Sequence, residues 1–159
     1  MTGMARNYWL FKSEPAEFSW DDFKKSKNQT TFWDGVRNYQ ARNFLRDDIK
    51  KGDGVLFYHS GTDPLAIVGY CEVLKEGYTD HTQFDSKNDH FDPKAKIDNP
   101  TWFMVDIKIM KQFKNPVRLD SIKANPKLKG MKLIQRGQRL SVMPVTKAEW
   151  DEILKMGSK

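Results

Sequence analysis

A mixed α+β domain built on a barrel-like sheet is the fold class this sequence predicts, and three observations carry that expectation. Five or six runs of strand length, apolar or alternating, succeed one another; short helical patterns lie among them; and no β-helix-β rhythm of a doubly wound parallel sheet appears. The strands are expected to form the wall, with helices at 36–46 and 146–156 covering its open ends. At 159 residues the chain suits one domain, set at 6–157 with flexible termini at 1–5 and 158–159, able to bury about 70% of its unfolded surface.

Taken in order, NYWLFKSEP reads as a buried strand that Pro15 stops, since proline biases Glu14 away from helix. In SWDDFKKS, Ser19 with Asp22 three residues on signals a capped helix of two turns. Val36 to Asp47 contains helix formers and no breaker, with Val36, Ala41, Phe44 and Leu45 on an apolar stripe. A turn at Gly52 and Gly54 leads into a strand from Val55 to Ser60, and GTDP turns the chain into a second, antiparallel strand from Leu65 to Leu74.

Residues 76–100, rich in Asp, Asn, Lys and Pro, read as a long functional or mobile loop. WFMVDIKIMKQF then alternates as a half-buried strand does, VRLDSIKANPKLKGM reads as short helix and turn, and QRLSVMPV as a strand. Thr146, Glu149 and the pair Val145 with Trp150 supply a capping box and a hydrophobic staple for the last helix.

Composition narrows the function. Lys and Arg number 27 against 21 Asp and Glu, a net charge of +6 that suits polyanionic partners. From Lys111 to Arg139 the only acid is Asp120, so that stretch is either a solvated basic face or a phosphate-tracking surface. Cys71 lies in the apolar run AIVGYCEV and reads as a core residue in a reducing compartment. The N-terminus carries no signal-peptide pattern, and no window approaches the ~18 apolar residues of a membrane span, so a soluble cytoplasmic protein is expected.

Enzyme motifs are missing. His59, His81 and His90 have no metal-ligand spacing, and Ser60 beside His59 cannot form a nucleophile–base pair because strand neighbours point to opposite faces. Neither a Walker loop nor a G-x-G-x-x-G loop occurs. No catalytic residue, metal or cofactor is therefore assigned.

A binding pattern remains. Aromatics recur beside polar groups: Trp9 before Lys12 and Ser13, Trp33 before Asp34, Tyr58 before His59 and Ser60, and Trp102 at a strand start. A pocket for a planar base needs a ring to stack on, a few fixed edge contacts and cations at its mouth. Asp34 and Asn38 suit the edge; Arg37, Arg42, Arg46 and Arg139 suit the mouth. Taken singly, each tryptophan is more often a core residue.

Six blocks, YWLFKSEP, WDGVRNYQARN, VLFYHS, IVGYCEV, WFMVDI and RLSVMPV, together resemble the EVE-domain family in order over nearly the whole chain. The resemblance implies a PUA-like mixed β pseudo-barrel, related to the YTH readers, that binds a modified nucleobase without cofactor or catalysis. In the family, modified cytosine in DNA is the partner of eukaryotic members, and modified DNA or RNA that of bacterial ones. It implies a base pocket of Lys12, Ser13, Glu14, Trp33, Asp34, Val36, Asn38, Tyr39, Tyr58, His59, Ser60, Trp102, Arg139 and Ser141. Phosphates would fall to Arg37, Arg42, Arg46 and Arg136.

The lack of a long basic extension points to a bacterial stand-alone domain, expected to be monomeric. Two rivals stay open: an enzyme on a nucleobase or RNA using Asp34 or Glu14 as base, and a protein-interaction module with a basic face.

Overall fold

The computed structural model describes residues 6–159, so the expectation for residues 1–5 lies outside the described residues. Six strands form one sheet: β1 (Tyr8–Ser13), β2 (Thr30–Phe32), β3 (Gly54–His59), β4 (Ala66–Thr79), β5 (Phe103–Arg118) and β6 (Val142–Val145). Their order is β2-β5-β4-β3-β1-β6, with β1 parallel to β3 and every other pair antiparallel.

The sheet does not close, because β2 and β6 each have one partner. It does curl. Trp33, immediately after β2, packs its ring 5.3 Å from Phe11 of β1, although three strands separate β2 from β1 in the sheet. Register shifts at Phe57/Tyr58 in the β3–β4 ladder, and four more along β4–β5, supply the bending. Leu10, Phe11, Phe23, Leu56, Phe57, Ile67 and Ile107 fill the core.

Among the described residues four α-helices dress the sheet. The first, α1 (Trp20–Lys25), has the Ser19–Asp22 capping box that the sequence predicts and buries Trp20 and Phe23. Next come α2 (Tyr39–Asn43) and α3 (Leu119–Ala124). The last, α4 (Lys147–Gly157), is capped reciprocally by Thr146 and Glu149. It lays Trp150 4.6 Å from Tyr8, and a side chain at Gly54 would meet that indole at 2.5 Å. Among the described residues no helix is long and apolar enough to cross a membrane.

Three expectations change. The helix proposed from Val36 is shorter: residues 33–38 are irregular, α2 begins only at Tyr39, and Phe44–Asp48 continue as a π-helical turn. The second strand does not stop at Leu74 but runs to Thr79, taking the first residues of the supposed loop into the ladder with β5. The three-residue strand β2 gave no alternating pattern long enough to read.

The rest of the polar segment is organised around buried polar groups. Gln83, fully buried, donates to the carbonyls of Asp80 and Trp102 and accepts from the backbone N–H groups of Thr101 and Trp102. Such a satisfied hub fixes a loop without an apolar core.

Candidate functional site

Because the sheet curls without closing, its two edges face one another across a seam. A cavity of about 480 Å³ lies there, within the ~300–1,000 Å³ of small-ligand sites. Lys12 and Ser13 come from β1, Thr31 and Phe32 from β2, Trp33 to Arg37 from the irregular segment behind it, and Ser141 from the approach to β6. Glu17, Phe18 and His90 complete the lining.

Trp33 forms the wall. Its backbone N–H extends the β2 ladder by donating to the Val105 carbonyl at 2.7 Å, and its ring is held by Phe11, by Phe18 at 6.3 Å and by Phe57 at 5.6 Å. At 8% exposure it is a core residue that also lines the cavity. The next residues turn at Gly35, whose φ of +80° favours glycine and whose missing side chain leaves room for the His90 ring; a Cβ there would lie 2.5 Å from it.

Beneath the turn sits a buried carboxylate. Asp80, fully buried, accepts from Gly35 N at 2.8 Å, from Arg37 at 3.0 Å, and from the Thr82 backbone N–H and hydroxyl. Burial alone would raise its pKa, but the bonds from Thr82, Gly35 and Arg37 outweigh that and hold it below the ordinary value. Arg37 also donates twice to the His90 carbonyl, at 3.0 and 2.7 Å. Asp80 and Arg37 thus clamp the 80–92 loop to the cavity floor, and His90 Nδ1 comes to 3.3 Å from Asp34 Oδ2.

On the opposite side Lys12 is half-buried. Burial lowers the pKa of its ammonium, and no carboxylate offsets the shift. Ser13 Oγ is committed, donating to the Phe18 carbonyl at 2.5 Å. The cavity therefore offers an aromatic wall, a carboxylate steadied by a histidine, and an ammonium that has no acceptor among the described residues.

The sequence pattern of the EVE domain matches residues 7–156. The chain belongs to the EVE-domain family. Thymocyte nuclear protein 1 of Mus musculus is 45% identical over 94% of this chain and 73% of its own length. The human THYN1 protein, solved in complex with 5-methylcytosine-containing DNA, superposes with a TM-score of 0.90 at 43% identity, covering 96% of this chain and 98% of that one. A hypothetical protein from Leishmania major gives the same TM-score at 42% identity, over 96% and 95% of the two chains. The PUA-like architecture expected from the resemblance is the one these structures share with this chain.

Of the residues the sequence nominates, this EVE domain brings Lys12, Ser13, Trp33, Asp34, Val36, Arg37 and Ser141 to the cavity. Others lie elsewhere for physical reasons. Asn38 spends its side-chain oxygen capping α2 at Ala41 N. Tyr39 stacks outside on Trp102 at 5.0 Å, and the Trp102 indole N–H donates to Asp92. Tyr58 is buried within β3, where burial raises its pKa. His59 Nε2 accepts from Trp20 N, and burial lowers its pKa. Glu14 is exposed beside the Gly61 turn, and Ser60 prolongs the β1–β3 ladder through its N–H to the Ser13 carbonyl. Arg139 is exposed two residues before Ser141 and does not line the cavity.

The arginines assigned to phosphates are mostly engaged. Arg42 donates to the Thr101 carbonyl, Arg46 pairs with Asp47, and Arg37 belongs to the Asp80 clamp, while Arg136 stays exposed. Trp9 is tied into the core by its N–H to the buried Asp53. The sequence reading missed Glu17, Phe18, Thr31, Phe32, Gly35 and His90. For His90 no local signal exists, because Arg37, 53 residues away in sequence, holds its carbonyl, and Asp34, which its ring meets, lies 56 residues away.

Proposed function

We propose that this EVE domain is a non-catalytic reader that takes up a modified cytosine of DNA in the seam cavity. One observation carries the reading: Asp34 and Lys12 line the same cavity as the Trp33 wall without either being the other's partner. A cytosine edge presents an amino donor followed by two acceptors. A carboxylate and an ammonium set apart meet that pattern, and the ring gains a stacking surface. The complex of the human THYN1 protein with 5-methylcytosine-containing DNA supports the same ligand class.

A histidine–carboxylate pair is also what proton abstraction uses, yet the geometry favours binding. His90 Nδ1 faces Asp34, and the Ser13 hydroxyl is already donated to the Phe18 carbonyl. The pair is better placed to orient an acceptor than to activate a nucleophile.

Thymine makes the test sharp, since it shares the C5 methyl group and differs at the edge, where an oxygen replaces the amino group. The protein is expected to bind a 5-methylcytosine oligonucleotide about tenfold or more over the same strand with thymine, because a carboxylate facing that oxygen is left unpaired. Asp34→Asn, whose amide can donate, should shrink the preference toward unity in a fluorescence-anisotropy titration. An unchanged preference in the folded variant would remove Asp34 as the edge reader. Repeating the titration with the RNA strand compares the two backbones.

A further inference from the structure

Phe32 is 44% exposed, a large apolar ring on a free sheet edge, and it lines the seam cavity. It is the last residue of β2, pairs with Asp106 of β5, and turns its ring edge-on to the exposed His81 at 5.2 Å. Exposed edge strands are normally blunted by charge, so an apolar ring here invites an occupant. Its neighbour Trp33 is the buried wall, so one extended dipeptide places one ring inside the cavity and the other at its mouth. The chain that leads into Ser141 of the lining is basic: no acid occurs from Ser121 to Ala148, and Arg136 and Arg139 are exposed.

A base drawn from a duplex leaves a gap between its stacked neighbours, and proteins that open DNA steps fill such gaps with apolar side chains. We propose that Phe32 enters the stack of a DNA duplex in place of the base taken into the cavity, so that the domain extracts its base from paired DNA. The inference rests on the cavity being a base pocket. The base goes in past Phe32, Phe32 closes the gap, and the cations of the chain leading into Ser141 meet the phosphates of the bent strand.

The test compares Phe32→Ala with the parent protein on three probes: a single strand bearing 5-methylcytosine, that strand paired with its complement, and that strand with an abasic site opposite the modified base. Phe32 lines the cavity, so affinity for the single strand should also fall, but several-fold less than affinity for the duplex. Affinity for the paired duplex should fall roughly tenfold, the scale of one lost aromatic–base stack. The loss should shrink opposite the abasic site, where no base pair is broken, and Phe32→Leu should restore most duplex binding. Equal losses on single strand and duplex would make Phe32 a pocket wall only and overturn the proposal, as would no loss on any probe. If the parent protein itself shows no preference for the modified single strand over the unmodified one, the pocket reading fails first and this inference with it.

Discussion

Replacing Asp80 with alanine is expected to lower the melting temperature by about 10 °C near neutral pH. The substitution leaves Arg37 without its carboxylate and removes the acceptor of Gly35 N, Thr82 N and the Thr82 hydroxyl. Breaking a buried ion pair from one side costs about 3–5 kcal/mol, and in a domain of this size each kcal/mol moves the melting temperature by roughly 2–4 °C.

The pH dependence has a definite sign. Asp80 has its folded pKa below the ordinary 3.8, so its contribution is fully present above that value and is lost as pH falls through the lower folded value. The gap between parent and variant should therefore close in acid. A melting curve at pH 7 that is unchanged by the substitution would show that the clamp carries no stability. The variant should also loosen His90, whose carbonyl Arg37 holds, and so weaken ligand binding beyond the loss of stability.

Trp33→Ala is expected to act twice. Truncating a tryptophan with 8% exposure, packed on Phe11, Phe18 and Phe57, costs about 3–5 kcal/mol of stability. The loss of a stacking surface removes a further 1–3 kcal/mol or so of binding. The two effects separate in Trp33→Phe, which keeps most of the packing. This variant should melt close to the parent and bind a modified oligonucleotide several-fold less tightly. A variant that melts as the parent does and binds equally well would reject Trp33 as the platform.

The parts of the fold legible in the sequence are those specified locally. Ser19 with Asp22, and Thr146 with Glu149, mark helix starts whose capping bonds are all present. The β3–β4 hairpin follows from two apolar runs joined by a short turn. Sheet order was not legible, because the parallel pairing of β1 with β3 joins segments some 46 residues apart: Tyr8 lies opposite Gly54.

The site divides in the same way. Lys12, Ser13, Trp33 and Asp34, which stand out in the sequence because aromatic and polar residues adjoin, line one cavity. Asn38 caps α2 and does not line the cavity; a capping asparagine and a ligand-facing one have the same local pattern, which its extended backbone before Tyr39 separates. His90 and Phe18 reach the cavity through the Asp80–Arg37 clamp and through the curl of the sheet, neither of which has a periodic signature. The basic stretch from Lys111 to Arg139 gave charge but no geometry. In the structure none of its residues lines the cavity; Ser141, two residues beyond it, does.

The most direct test of the account is the affinity of the protein for a DNA oligonucleotide carrying one 5-methylcytosine against the same strand with cytosine, measured by anisotropy at about 50 and 200 mM salt. Phosphate contacts release counterions, so both affinities should fall steeply as salt rises. The ratio of the two should persist, because it comes from the cavity and not from the backbone. A protein that binds both strands equally at both salt concentrations would contradict the assignment of the seam cavity as a modified-base pocket.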